Sequence, residues 1–218
     1  MKSQMIIRSI AVLLLASLNL AMSFGPAAVP AGIVPMAPVA ANIPSLVDFA
    51  ATLNTDGAKQ VVGVYVPYVL ALKVAQQPAN DPAYVGTISG YVTQFSLATL
   101  YGTTGLLAHN YLAGALFVTL SAGQEVDLIY GDRSIQRYSI SILRHFQALR
   151  PTDFTSDFVD LDSQNHTQIS NADLFHQIYA QGNRVVFQTC ITVNGDTSWG
   201  RLFVIATPIP LSSGSGSR

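Results

Sequence analysis

The sequence predicts a mostly β protein, a closed or nearly closed antiparallel barrel with one or two short helices. Three observations carry this. From Tyr91 onward, segments rich in β-branched and aromatic residues recur at short intervals. Gly131-Asp132 and Asn194-Gly195-Asp196 sit between such segments as hairpin turn signals. Half of the 218 residues are hydrophobic but only 11% are charged, well below the ~25% usual for soluble domains, which suits a β-rich secreted chain.

Residues 1–23 read as an export signal. Lys2 and Arg8 supply a basic start, Ser9 to Met22 is apolar apart from serines and Asn19, and Ala21-Met22-Ser23 offers small residues for cleavage. The apolar run falls short of the ~20 residues a membrane span needs, which favours a cleaved signal over an N-terminal anchor. Residues 24–42, rich in Pro, Ala and Gly, read as a spacer.

Residues 43–80 are expected to form an N-terminal extension, with a short helix within Ile43–Leu53 and strands within Gly63–Gln77 broken at Pro67. The barrel domain is assigned to 81–211. Its strands are expected at Tyr91–Ala98, Leu106–Asn110, Glu125–Tyr130, Ile135–Gln147, Arg184–Val193 and Arg201–Ala206. Ser170–Tyr179 is the clearest helix. Ser170 caps it with Asp173 three residues on, Ala172, Phe175, Ile178 and Tyr179 mark an apolar face, and Gly182 closes it. Residues 212–218 are a Gly/Ser-rich flexible tail.

Net charge is −1, and it becomes about −3 if Lys2 and Arg8 leave with the leader, since 9 basic then face 12 acidic residues. No basic patch of the kind nucleic acid requires is present. The single cysteine excludes a disulfide scaffold. A lone thiol outside the cell is exposed to oxidation, so it must be buried or used.

A thiol nucleophile needs a base or a cation beside it, and acyl transfer needs donors for the oxyanion. Cys190 lies in a predicted strand, in V-F-Q-T-C. Arg201 opens the next strand across the Asn-Gly turn, and the two are nearly symmetric about Gly195, five residues before and six after. A hairpin therefore brings the guanidinium near the sulfur. His109 closes the apolar strand of G-L-L-A-H-N, at a position that often faces a barrel mouth.

These residues carry a resemblance. The blocks are L-L-A-H-N followed by A-G-A-L-F-V-T-L and Gly123-Gln124-Glu125-Val126, then V-F-Q-T-C, then R-L-F-V. In their order, and with Cys190 81 residues after His109, they resemble the sortase family of cysteine transpeptidases over roughly Tyr91 to Pro208. The strings V-T-Q-F and S-W-G-R-L-F-V resemble a sortase-like subgroup of exported bacterial proteins. Sortases show T-L-x-T-C where this chain has Val186 and Phe187, so the departure bears on substrate preference while Thr189-Cys190 is kept.

The resemblance implies a sortase-like barrel in which Cys190 attacks a carbonyl of a sorting signal such as Leu-Pro-x-Thr-Gly. His109 would protonate the departing amine and later deprotonate the incoming one, while Arg201 would bond the substrate or the oxyanion. Thr189, Asn110 and Trp199 are the expected substrate contacts. The implied partners are surface proteins with a C-terminal sorting signal and an amine acceptor on peptidoglycan or pilin, at the cell surface. No metal or organic cofactor is implied. The alternative reading is a catalytically inactive sortase-fold module for binding or surface assembly. Specificity is expected to lie in the Leu149–Arg184 connection.

His145, His166 and His176 read as structural, since none forms a zinc spacing. Asp153, Asp157, Asp160 and Asp162 cluster, and hard cations such as calcium favour clustered carboxylates. Their spacing is not that of a calcium loop, and a solvated loop is the reading preferred. Asp81-Pro82 resembles the start of an Asp-Pro-aromatic lid found in pilus-building sortases. Ala83 separates it from Tyr84, so it is read as a chance match.

Overall fold

The computed structural model describes residues 43–210; the expected signal (1–23), spacer (24–42) and tail (212–218) lie outside the described residues. The elements in order are α1 (Leu46–Ala51), β1 (Val61–Val66), β2 (Leu70–Gln76), β3 (Tyr91–Phe95), α2 (Ser96–Thr99), β4 (Thr103–Leu107), α3 (Gly114–Phe117), β5 (Glu125–Tyr130), β6 (Ile135–Ala148), β7 (Phe158–Asp160), β8 (Gln168–Ile169), α4 (Asn171–Tyr179), β9 (Arg184–Val193) and β10 (Asp196–Pro208).

Eight strands form a ring in the order β10-β9-β4-β3-β2-β1-β5-β6, closed by pairing of β6 with β10. The short strands β7 and β8 extend the sheet outward from the far end of β6. Closure removes the free edges on which the ring strands would otherwise aggregate. No helix among the described residues is long and apolar enough to cross a membrane.

The structure corrects the boundary placed at residue 81. β1 and β2 lie inside the ring, β1 between β2 and β5, and β2 beside β3. The alternation of an ordinary surface strand is missing in Val61–Val66 because both faces are covered. Val64 and Val66 are fully buried in the barrel interior, while Tyr65 packs with Phe49, Leu53 and Ile129 beneath α1. The break at Pro67 is a tight turn in which Val69 N donates to Val66 O at 3.0 Å.

Two further expectations are adjusted. The ring is not wholly antiparallel, since β2–β3 and β4–β9 run parallel. The long connection from Gln77 to Gly90 permits the first, because a parallel return needs about a dozen residues. Four short helices are present among the described residues. Two of them are single turns, and α2 takes over the end of the strand expected at Tyr91–Ala98.

Strand alternation splits the apolar residues between two faces. On β9 and β10, Val185, Phe187, Leu202, Val204 and Ala206 point into the barrel, where Phe187 meets Phe117 edge-to-face at 5.1 Å. Val186, Phe203 and Ile205 point outward, against Leu174, Ile178 and Tyr179 of α4. Each such large side chain contributes about 1.5–3 kcal/mol by leaving water. Ser170 caps α4 as expected, its hydroxyl accepting from Asp173 N at 3.1 Å. The helix ends at Ala180, not Gly182, which sits two residues further on in the left-handed region at φ 80°.

Candidate active site

The outer face of β9 and β10 carries the site. In the register Arg201 stands directly opposite Cys190, Phe203 opposite Gln188, and Ile205 opposite Val186. This pairing does not follow from the turn alone. At the turn Asp196 lies opposite Val193, and an unbroken ladder would then put Trp199 across from Cys190. An irregularity between Asp196 and Gly200 shifts the register by two residues, so Arg201 takes that place. A shift of two preserves the face, because side chains alternate with period two.

His109 arrives from the neighbouring strand. β4 runs parallel to β9 with Leu107 beside Gln188, and Ala108 N donates to Gln188 O at 3.1 Å. Two residues further on, His109 is therefore level with Cys190. The chain then turns sharply, with Leu112 N and Gly114 N both donating to the His109 carbonyl at 3.0 Å. A Cβ on Gly114 would sit 2.6 Å from the His109 carbonyl and 2.8 Å from that of Ala108, so only glycine allows this turn.

His109, Cys190 and Arg201 all line one cavity of about 600 Å³. The rest of its wall is largely apolar, with Phe158, Leu174, Phe175 and Phe203 prominent, so the cavity lies between the barrel and α4. Tyr179 at its back is fully buried and donates from its hydroxyl to Gln188 Oε1, and burial drives its acidity well below that of a free tyrosine. Phe154 stands exposed at the cavity mouth.

The Arg201 guanidinium is fixed by carbonyls. Its Nη1 donates to Ser198 O at 2.8 Å and to Gly200 O at 2.9 Å, and Nη2 donates to Pro151 O at 3.4 Å. No carboxylate pairs with it among the described residues. Carbonyls orient the fork without neutralising it, so its positive charge and remaining N–H donors stay available to an oxyanion.

The imidazole of His109 is held on two sides. Tyr111 stacks on it with centroids 5.1 Å apart and planes 19° from parallel. The Val85 carbonyl lies 3.3 Å from Nε2. Neither partner stood out in the sequence, although Tyr111 follows His109 by only two residues. Pro82, Ala83 and Val85 form part of the cavity wall. The Asp81-Pro82 segment thus belongs to the β2–β3 connection, inside the ring order and beside the site, and does not precede the barrel.

The expected substrate contacts separate. Thr189 lines the cavity, but its hydroxyl is buried with no hydrogen-bond partner, directed at Gly114. Asn110 lies outside the cavity wall; its Nδ2 donates to Thr192 Oγ1 at 2.9 Å and Thr197 O at 2.8 Å, tying β4 to the end of the β9–β10 hairpin. Trp199 also lies outside the wall, carried off by the register shift.

The other candidates make local contacts. His145 pairs with Asp162 at 3.1 Å, His176 packs edge-on against Tyr101, and His166 occupies a left-handed turn at φ 46°. Asp160 bonds Arg144 at 2.6 Å, Asp157 accepts from Asn171 N at 3.0 Å, and Asp153 accepts from Thr155, which holds its carboxyl below the usual range. Among the described residues no group of three or more His, Cys, Asp or Glu is placed to hold a metal ion.

No protein-family model matches this chain, and no curated protein matches it. Similar solved structures include sortase C from Clostridium perfringens, at 13% identity over 68% of this chain and 69% of that one, with a TM-score of 0.42. Streptococcus agalactiae sortase C1 in complex with MTSET is similar at 13% identity over 75% and 73%, with a TM-score of 0.44. Listeria monocytogenes sortase A is similar at 12% identity over 69% and 88%, with a TM-score of 0.41.

Proposed function

We propose that this chain is an exported cysteine transpeptidase of the sortase type. The observation that supports the reading most is that the sole thiol, an imidazole and a guanidinium with no carboxylate partner among the described residues, from β9, the turn after β4 and β10, line one largely apolar cavity. That is the minimum set for acyl transfer through a thioester.

In this reading a peptide lies in the cavity with a side chain among the apolar residues. The Cys190 sulfur, its proton passed to His109, attacks the scissile carbonyl. Arg201 donates to the oxygen that gains charge. The tetrahedral intermediate collapses with His109 returning the proton to the departing amine, leaving a thioester on Cys190. An incoming amine loses a proton to His109, attacks the thioester and takes the acyl group, and the thiol is restored. The apolar wall limits the water that would otherwise hydrolyse the thioester. The donor proteins carry a sorting signal, the acceptor is an amine of peptidoglycan or pilin, and the reaction takes place at the cell surface.

The test is intact mass after incubation with a Leu-Pro-x-Thr-Gly peptide library and with triglycine or hydroxylamine as acceptor, with Cys190→Ala alongside. A Cys190-dependent adduct or ligated product is expected. A folded protein whose thiol ignores both the library and an electrophilic probe would transfer the case to a non-catalytic assembly module.

A further inference from the structure

The His109 ring is oriented by a backbone carbonyl whose own direction is set by side chains two strands away from the nucleophile. A carbonyl only accepts, so the contact of 3.3 Å between Val85 O and His109 Nε2 requires the proton on Nε2. The neutral ring then has its free lone pair on Nδ1.

The Val85 carbonyl belongs to the same planar peptide unit as the Gly86 N–H, and in a trans peptide the two point in opposite directions. Gly86 N donates to Thr93 Oγ1 at 2.8 Å. Thr93 lies in the middle of β3 at 1% exposure, held between β2 and β4, so its hydroxyl is a fixed point. Fixing the N–H on Thr93 aims the carbonyl at His109. A Cβ on residue 86 would stand 3.1 Å from that hydroxyl, a tight fit that glycine avoids.

The preceding residues are fastened independently. Gln77, 7% exposed, donates through Nε2 to the carbonyls of Pro82 at 2.9 Å and Tyr84 at 3.0 Å. Its Oε1 accepts from Ser96 N at 3.1 Å and Ser96 Oγ at 2.8 Å. A connection of this length would otherwise sample many conformations, and both anchors are buried polar side chains, Gln77 tying it also to the start of α2.

We propose that the Val85–Gly86 peptide, held by Thr93 and Gln77, is the orienting third member of the Cys190–His109 site, and that Thr93 and Gln77 are positioning residues. The proposal rests on reading His109 as the proton carrier. It assigns to a backbone carbonyl the task that a carboxylate or amide side chain performs in other thiol and serine enzymes, fixing the tautomer and the ring plane and stabilising the imidazolium.

Two readouts on the full chain keep this separate from the function itself. Nitrogen-15 spectra of the imidazole report the tautomer without any substrate, and the rate of Cys190 alkylation by iodoacetamide, compared with His109→Ala, reports the thiol–imidazole couple. The native neutral ring is expected to be Nε2–H. Thr93→Val, which keeps the shape but loses the acceptor, is expected to give a mixture of tautomers and to slow alkylation roughly tenfold. Thr93→Ser is expected to restore both. Gln77→Glu, which keeps the acceptor for Ser96 but cannot donate to Pro82 and Tyr84, is expected to act like Thr93→Val. A native ring protonated on Nδ1 when neutral overturns the proposal whether or not the variants fold, as does an unchanged tautomer in a folded Thr93→Val. Alkylation indifferent to His109 would instead sink the transpeptidase reading and leave the tautomer result standing.

Discussion

Cys190 and Arg201 face each other directly across β9 and β10, and the bulge after Asp196 is what puts an arginine rather than Trp199 in that place. The thiol therefore has a cation beside it whose fork is clamped by the Ser198, Gly200 and Pro151 carbonyls. Geometry here matters as much as charge.

Arg201→Lys separates the two. Lysine keeps the charge but has no rigid fork, so acyl transfer is expected to fall by about 10²-fold. The melting temperature should drop by only a few degrees, because the lost bonds are three part-buried contacts to backbone carbonyls, some of which a lysine ammonium can still reach. Parallel losses in melting temperature and in transfer would make Arg201 a structural residue.

Thr189→Val tests whether the hydroxyl beside the nucleophile serves the substrate. Its buried oxygen has no partner, and an unpaired buried hydroxyl costs about 1–3 kcal/mol. Thermal denaturation is expected to show a gain of about 1 kcal/mol, or a melting temperature raised by roughly 2–4 °C. A clear loss of stability would mean that the hydroxyl is bonded in the folded protein.

Gly114→Ala attacks the site from beneath. The new methyl would press on the carbonyls of Ala108 and His109, backbone atoms that cannot swing aside. The expected cost is about 1–3 kcal/mol from overpacking. His109-dependent labelling of Cys190 should be lost in whatever fraction stays folded. Native labelling in a folded Gly114→Ala would show that the turn after β4 does not set the imidazole.

Asp127 predicts a pH dependence. It is 2% exposed between β1 and β6, and its acidity is weakened first by burial, then by Glu125, with Arg137 at 3.4 Å opposing both. A carboxyl whose folded pKa is raised favours folding when protonated. That contribution is fully present below the unfolded value of about 4 and is lost as pH rises through the folded value. Asp127→Asn is therefore expected to raise the melting temperature at pH 7 and to leave it nearly unchanged at pH 3. The reverse order would mean that Arg137 compensates the charge in full.

Much of the candidate site was legible because Cys190 and Arg201 lie within strongly marked strands and His109 follows another. Arg184–Val193 and Glu125–Tyr130 carry enough β-branched residues to be bounded to the residue, and the Asn-Gly turn locates the hairpin on which Cys190 and Arg201 ride. His109 was readable as a polar residue closing an apolar strand, but the strand runs over Thr103–Leu107 rather than Leu106–Asn110, so His109 stands two residues past its end. β1 was not readable as part of the barrel, because a strand covered on both faces loses the alternation that marks a surface strand. Asn110 and Trp199 lie outside the cavity wall because adjacency in sequence says little once a chain turns or bulges.

By itself, then, the sequence determined the residue types, the approximate places of the strands and the turn that make a thiol, an imidazole and a guanidinium candidates for one site. These are local properties, decided by side-chain period, turn chemistry and the scarcity of alternatives. Only the tertiary structure decided which residue stands across from Cys190, that β1 and β2 belong to the ring, and that Val85, 24 residues before His109, bonds its imidazole. Those outcomes depend on a two-residue register shift, on burial of both faces of a strand, and on buried anchors such as Thr93 that fix a loop from another strand. Each is a long-range contact whose energy no local pattern carries.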